Sequence, residues 1–380
     1  MVNSIINFKI NNNNLKIDSL KYKNTFRIKS GLRDYYVNIS NNALGIIKKS
    51  ISNDKNLFII DKKIYNHYFK KFKNKNIYII ESSENIKNIE ISNKIIDFFI
   101  KKKVTKLSQV YAIGGGIIQD IVGYSCCVYK RGIPWIFVPT TLLGMTDSCV
   151  GGKVALNYKN TKNLYGLFSA PKKVVISLNF LETLSNTDYV SGIGEAFRLH
   201  ITGGPKTFKI FSNDIENIIT KKKSVVKKMI YRSLIIKKTI VEFDEYEKDI
   251  RRSMNFGHSI GHAYESLLDY RIPHGLAISI GICIELLIFE NKISKKMFEN
   301  IINVFIQFFP KKYLSLIKNI KLNNINEILI KDKKTLGHLI KIAIPLRFGE
   351  IEFISKKLDK ELIKKIVYSN NKLIKYYLWY

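Results

Sequence analysis

A buried-strand pattern, Val110-Tyr111-Ala112-Ile113, runs straight into Gly114-Gly115-Gly116 and on into an apolar helical segment, Ile117 to Cys127. A strand followed by glycines and a helix lets the backbone approach a pyrophosphate closely and presents the first helical N–H groups to it. The spacing is not GxGxxG, and a tight structural turn would use the same residues, so the triplet alone leaves both readings open. Its surroundings narrow the fold. Leu57 to Ile60 and Ile77 to Ile80 are short apolar runs separated by a helical stretch, Trp135 to Val138 ends at Pro139-Thr140-Thr141, and Thr25 to Ile39 reads as strand, turn and strand around Gly31. Such alternation of strands with helices predicts a parallel α/β sheet.

Beyond about Asn186 the texture changes to long helical periods, as in Ile215 to Asp244 and Phe256 to Leu268. Leu276 to Phe289, an apolar stretch interrupted by Ser279 and Glu285, reads as a buried helix, and Lys356 to Tyr380 as a terminal amphipathic one. The fold class is therefore α/β plus α. An N-terminal Rossmann-like nucleotide-binding domain is expected over residues 1–186 and a mostly helical, metal-binding domain over 187–380. A chain of 380 residues, 46% of them hydrophobic, can bury two cores.

The formal net charge of +32 would suit a nucleic-acid partner if it were clustered, but lysines are spread from Lys9 to Lys375 among Ile and Asn. No nucleic acid is expected, although an anionic small substrate would gain from the field. Cys126, Cys127, Cys149 and Cys283 form no CxxC pair or disulfide framework, which fits a reducing cytoplasm. Met1 to Asn14 lacks the basic start and long apolar run of an export signal, and the Leu276–Phe289 stretch is too short to span a bilayer. No membrane partner is expected.

One carboxylate and two imidazoles, Glu195, His258 and His274, make a ligand set suited to zinc with an open position. His262 follows His258 by four residues and could share its helix face, so spacing alone admits it as a rival ligand.

A longer series then carries a resemblance. Gly114-Gly115-Gly116-Ile117-Ile118-Gln119-Asp120 is followed by Arg131-Gly132, Val138-Pro139-Thr140-Thr141-Leu142-Leu143, Asp147-Ser148, Gly151-Gly152-Lys153, Asn157 and Lys162-Asn163. Phe180-Leu181, Thr183-Leu184, Gly194-Glu195, Lys237, Asp244-Glu245, Arg251, Asn255-Phe256-Gly257-His258, Gly261-His262, His274-Gly275 and Asp332-Lys333-Lys334 continue it in order. From about Asp61 to Lys334 the chain resembles 3-dehydroquinate synthase, of the sugar-phosphate cyclases.

The resemblance implies metal ligation (Zn2+ or Co2+) by Glu195, His258 and His274, with His262 serving the phosphate and proton transfers. Lys153, Lys237, Arg251 and Asn255 join His262 as catalytic residues. Arg131 and Asn163 bind substrate, with Lys333 or Lys334 closing from a later loop. For NAD it implies Asp61 on the adenosine ribose, Glu84 and Lys87 as an ExxK pair, and Gly115, Gly116, Asp120, Thr140, Thr141, Asp147, Lys153, Lys162, Phe180 and Thr183 around the rest. Metal and substrate would lie in a cleft between the domains of a homodimer, with Arg131 reaching the neighbouring subunit's substrate.

The implied reaction turns 3-deoxy-arabino-heptulosonate 7-phosphate into 3-dehydroquinate and phosphate, regenerating NAD each turn. Three features depart from the family. Arg198 stands in place of the Lys of Glu-x-x-Lys and is placed among the catalytic residues, Leu276 replaces the usual Glu after His-Gly, and His200 to Gly204 replaces an ordinary helical continuation. The alternatives are a cyclase for another sugar phosphate, of valiolone or inosose type, and an NAD-dependent metal polyol dehydrogenase.

Overall fold

The computed structural model describes residues 5–53, 55–159, 161–320, 325–331, 335–336 and 339–379. The chain divides into two compact units, Tyr22–Ser185, and Met1–Lys21 together with Asn186–Tyr380. It opens on a hairpin of β1 (Ile6–Ile10) and β2 (Asn13–Ile17), in which alternate apolar residues are buried. Asn11 makes the turn at φ 48°, in the left-handed region that Asn tolerates. The polar Asn tract is thus a hairpin turn, and the hairpin groups with the C-terminal residues rather than with the expected first domain.

In Tyr22–Ser185, β3 (Thr25–Ile28) and β4 (Tyr35–Ile39) form an antiparallel pair, followed by α1 (Ala43–Ile51) and β5 (Asn56–Asp61). Next come the single turn α2 (Lys62–Ile64), β6 (Ile77–Ile80), α3 (Ile89–Lys101), β7 (Gln109–Gly114), α4 (Gly116–Val128) and β8 (Trp135–Pro139). A hairpin of β9 (Lys153–Tyr158) and β10 (Thr161–Phe168) stands as its own two-stranded sheet, and β11 (Lys173–Ile176) returns to the main one. That main sheet has the order β3-β4-β11-β8-β7-β5-β6, parallel from β4 to β6. Leu57 to Ile60 and Val110 to Ile113 are buried along their whole length, because helices cover both faces of a parallel sheet. The connection after β5 moves outward to β6, while β7 and β8 continue in the opposite direction, so the order reverses between β5 and β7. Open α/β sheets bind ligands beyond the carboxyl ends of strands at such a reversal.

The other unit runs through α5 (Asn186–Thr202), α6 (Pro205–Ile219), α7 (Lys223–Phe243), α8 (His258–Leu267), α9 (His274–Ile288), α10 (Lys295–Phe308), α11 (Leu314–Lys318) and α12 (Ile325–Lys331). It then adds β12 (Thr335–Leu336), β13 (Leu339–Arg347), β14 (Glu350–Lys357) and the closing helix α13 (Lys360–Trp379). The long period expected over Ile215 to Asp244 is two helices. Lys221 takes φ 60° and ends α6, and Lys222 N–H donates to Asn217 O at 2.9 Å. This unit is mostly helical but carries a five-stranded sheet, β12-β13-β14-β1-β2, in which β1 pairs in parallel with β14. The unusual His200 to Gly204 segment serves that sheet. A methyl at Gly349, in the β13–β14 turn, would lie 2.7 Å from Gly204 Cα, and Gly349 N–H donates to Ile201 O at 3.3 Å. Among the described residues no helix is long and apolar enough to cross a membrane.

Candidate functional site

The expected nucleotide residues gather at the carboxyl edge of the parallel sheet. Asp61 is the last residue of β5, Gly115 and Gly116 follow β7, Thr140 and Thr141 follow β8, Phe180 and Thr183 follow β11, and Glu84 and Lys87 follow β6. Gly115 caps α4 in an extended conformation, where a methyl would meet Thr141 Cγ2 at 3.0 Å. A methyl at Gly116 would meet no heavy atom within 4 Å, so the start of α4 has open space on that side. Asp61 Oδ1 accepts from Lys63 and Ile64 N–H at 2.9 and 3.2 Å, which turns the chain at the strand end. Phe180 is fully buried, edge-on to Tyr68 at 5.1 Å, and therefore offers a cofactor no side-chain surface. Thr183 Oγ1 lies 3.2 Å from Tyr68 Oη. Asp147 sits in the short helical turn Gly144–Ser148.

A polar network joins residues that sequence left far apart. Lys87 Nζ lies 2.5 Å from Asp120 Oδ2 and donates to Asn163 Oδ1 at 2.5 Å. Asn157 Nδ2 donates to Glu84 Oε1 at 2.8 Å, and Asn163 N–H donates to Asn157 Oδ1 at 3.0 Å. Glu84 and Lys87 could equally be a local charge pair at a helix start; instead Lys87 is buried and points to α4 and β10. Burial pushes the Asp120 carboxyl up to about 6 even though Lys87 opposes it. A group poised there can hold or release a proton near neutrality. Asn157, which sequence reading left without a role, is the hinge of this network. Lys153 opens β9 with its side chain exposed, Lys162 lies on β10, and Asn163 takes φ 56°. Arg131 stands in a turn where Lys130, Arg131 and Gly132 have φ of 50°, 59° and 104°.

In the other unit three helices meet through glycine. A methyl at Gly275 would lie 1.9 Å from Ser191 O, and one at Gly194 2.1 Å from Gly275 O, so α5 and α9 touch backbone to backbone. A methyl at Gly281 would lie 1.9 Å from Gly257 O, which does the same for α8 and α9. These crossings put Glu195 beside the first residues of α8 and α9, His258 and His274. Glu195 Oε1 lies 3.8 Å from His258 Nε2 and 3.4 Å from His274 Nε2, is buried, and has no hydrogen-bond partner among the described residues. His258 Nδ1 lies 3.2 Å from Phe256 O and His274 Nδ1 3.1 Å from Glu265 Oε2. With N–H at Nδ1 in both rings, both Nε2 lone pairs face the orphaned carboxylate oxygen. A buried carboxylate oxygen facing two imidazole nitrogens suits a cation, and the oxygens behind the rings are the partners metal-bound imidazoles use. The residues present therefore fit a divalent metal.

His262 also joins the cluster: its ring centroid is 5.3 Å from that of His258 and 5.5 Å from that of His274, and the ligand atoms of the three lie within 4.8 Å. Desolvation opposes charge on His274, but without a bound cation Glu195 and Glu265 outweigh it and push the imidazole up to about 10, so that a proton takes the place between Nε2 and Glu195 that a metal would compete for. Burial would raise Glu195; Arg198, His274 and His258 hold it well below the usual carboxylate range instead. His200 is the ordinary core histidine of the chain, fully buried with Nδ1 on Ala196 O at 2.7 Å and held down to about 3 by burial and by Arg232.

Arg198, which shares a helix face with Glu195 and is expected beside the metal and substrate, is 1% exposed and places Nε and Nη2 each 2.8 Å from Glu195 Oε2. The guanidinium occupies one carboxylate oxygen and turns the other toward the imidazoles. Lys237 on α7 and Arg251 are both buried. Asp244 builds the loop that carries Arg251 and Asn255, accepting from Lys248, Asp249 and Arg251 N–H at 2.9, 2.8 and 3.0 Å. Arg251 also donates to Glu245 O, and Asn255 Nδ2 donates to Glu247 Oε1 at 2.8 Å. Lys333 and Lys334 lie outside the described residues. Glu265 and Glu247 went unnoticed in the sequence, where nothing but their charge distinguishes them.

A parallel sheet with a glycine turn at its reversal and a mostly helical unit make up a fold shared with solved sugar-phosphate cyclases and, at lower similarity, with a glycerol dehydrogenase. A 2-deoxy-scyllo-inosose synthase, described as complexed with carbaglucose-6-phosphate, NAD+ and Co2+, superposes with a TM-score of 0.79 at 20% identity, covering 90% of this chain and 98% of that one. A 2-epi-5-epi-valiolone synthase from Streptomyces hygroscopicus subsp. jinggangensis with NAD+ and Zn2+ bound gives 0.78 at 20% identity over 91% and 99%. A probable glycerol dehydrogenase from Sinorhizobium meliloti gives 0.59 at 11% identity over 89% and 96%. Sequence is more specific. Residues 77–191 match the N-terminal and 192–335 the C-terminal region of 3-dehydroquinate synthase. The 3-dehydroquinate synthase of Thermoanaerobacter sp. is 33% identical, covering 87% of this chain and 95% of the relative. That of Helicobacter pylori is 35% identical over 77% and 83%. The chain belongs to the 3-dehydroquinate synthase family.

Proposed function

We propose that this protein is an NAD- and divalent-metal-dependent lyase that converts 3-deoxy-arabino-heptulosonate 7-phosphate to 3-dehydroquinate with release of phosphate. The observation that carries the reading is the orphaned Oε1 of Glu195 facing two imidazole Nε2 atoms, in a chain whose relatives are 3-dehydroquinate synthases. Glu195, His258 and His274 would hold the metal, which when bound polarises a hydroxyl or carbonyl oxygen as a Lewis acid. NAD would lie along the carboxyl edge of the sheet and supply a reversible hydride acceptor. Gly115 and Gly116 N–H groups would take the pyrophosphate, and Asp61 Oδ2 a ribose hydroxyl. Arg131, Lys153, Asn163, Lys237, Arg251, Asn255 and His262 would neutralise phosphate and carboxylate, with His262 placed to move a proton. Four cysteines without a disulfide accord with a reducing cytoplasm, and a homodimer is proposed from the family resemblance.

The test is turnover itself. Purified protein with the heptulosonate phosphate, NAD and zinc should release one phosphate per dehydroquinate formed with no net NADH. NADH accumulating in step with turnover would mark a dehydrogenase instead.

Arg198 and Leu276 depart from the family pattern and so open a second reading, another phosphorylated sugar as substrate, but their placement supports the first. Leu276 is fully buried in α9, and Arg198 serves Glu195, so neither is arranged to read substrate directly. Arg198→Lys should accordingly keep phosphate release from the heptulosonate phosphate. Arg198→Met should cost about 3–5 kcal/mol of stability, because it strands a buried carboxylate. Undetectable activity on this substrate in both wild type and Arg198→Lys, at full zinc and NAD occupancy, would favour the second reading.

A further inference from the structure

Glu285 is a carboxylate in the middle of α9, a helix whose residues from Gly275 to Ile288 are all buried, and it is 0% exposed itself. A charge in such a place is costly unless its oxygens are taken up by donors. They are. Oε2 accepts from Gly257 N–H at 2.7 Å and Oε1 from Ile260 N–H at 3.3 Å. These two donors belong to the first turn of α8 and the residue before it, where N–H groups have no partner inside the helix and the helix dipole favours a negative charge. Gly257 itself is held at φ 78°, and a methyl there would meet Ile282 Cγ1 at 2.6 Å and Ile278 O at 2.7 Å.

Between those two anchored peptides lie Ser259 and, directly after Gly257, His258. Its Nδ1 is turned to Phe256 O within the same bend. The direction of its Nε2 therefore follows from where Glu285 holds the start of α8. Because α9 carries His274 at its own first turn, the helix supplies one imidazole directly and fixes another through Glu285.

We propose that Glu285 is a positioning residue of the metal centre: from α9 its carboxylate fixes the N-terminal turn of α8 and so aims His258 at Glu195 and His274. The inference rests on the metal reading above. Outer groups that orient a metal-bound imidazole typically change metal affinity ten- to a hundredfold.

The probe is the metal alone, in the full-length protein. Zinc affinity is measured by chelator competition, and the ligand field by the visible spectrum of the Co2+-loaded protein, for wild type, His258→Ala and Glu285→Gln. Gln keeps the shape but turns an amide N–H toward a backbone N–H. The expected result is zinc binding about ten- to a hundredfold weaker in Glu285→Gln, with shifted Co2+ bands, in a protein whose metal-free circular dichroism matches wild type. Zinc affinity within twofold of wild type and a superimposable Co2+ spectrum, while His258→Ala has lost the metal, would overturn the inference and leave the metal reading intact. Full zinc in His258→Ala would overturn the metal reading itself. Should Glu285→Gln not fold, Glu285→Asp takes its place: a carboxylate one methylene short should weaken zinc in the same direction, and unchanged affinity again overturns the inference.

Discussion

Replacing His274 with alanine should strip the protein of zinc and of turnover together. A complete structural zinc site is worth about 10–16 kcal/mol, so each ligand carries on the order of 3 kcal/mol, or about two orders of magnitude in affinity. Here the loss is compounded. His274 Nδ1 is also the partner of Glu265, and its removal leaves that carboxylate and Glu195 Oε1 without the imidazole between them. Glu195→Ala should behave alike. His262→Ala is the discriminating variant, because its ring lies in the same cluster and geometry alone admits it as a ligand. It should keep zinc while losing turnover. Elemental analysis decides both points: full zinc in His274→Ala, or none in His262→Ala, would reassign the ligands.

Gly275→Ala should damage both the fold and the metal centre, by adding one methyl group. Overpacking usually costs about 1–3 kcal/mol when side chains can yield. At Gly275 the obstacle is the carbonyl of Ser191, 1.9 Å from the new carbon, and Ser191 Oγ already accepts from Gly275 N–H at 3.0 Å. Backbone cannot step aside without moving a helix, so a loss of about 3 kcal/mol or more is expected in denaturant unfolding. The movement separates α9 from α5, hence His274 from Glu195, and zinc content should fall with stability. Gly116→Ala is the contrasting change. With no heavy atom within 4 Å of the added carbon, it should leave unfolding within about 0.5 kcal/mol of wild type and act on NAD affinity instead. Equal stability of Gly275→Ala and wild type would show that the two helices do not cross as described.

Much of this arrangement was already legible in the chain. Leu57 to Ile60 and Val110 to Ile113 read as strands and form them, because a short run apolar on both faces must be covered on both faces, and Ile77 to Ile80 forms the edge strand with Ile79 exposed. The buried helix over Leu276 to Phe289 is where the apolar run puts it, while the terminal amphipathic helix read from Lys356 starts at Lys360, because Lys356 and Lys357 close β14. Glu285 carried its own signal, a carboxylate inside an apolar helix that had to find donors. Other features left no local trace. The Asn-rich start pairs with β14, more than three hundred residues away, and a strand pattern names a buried face but not its partner. Ile215 to Asp244 keeps its apolar period across a break made by a single lysine in the left-handed region, which composition does not announce.

Sequence by itself determined the chemistry available: which residues carry imidazole, carboxylate and guanidinium groups, and that a glycine turn follows a buried strand. Only the tertiary structure decided how those groups act. Gly115 and Gly116 line a turn while Gly194 and Gly275 form a helix crossing, though all are the same residue in the chain. Lys87 finds Asp120 rather than Glu84, and Glu195 meets His258 and His274 carried by two other helices. The physical reason is common to these cases. A side chain's role depends on the donors, acceptors and atoms within about 4 Å of it, and for residues brought together from distant helices and strands that neighbourhood is set by packing.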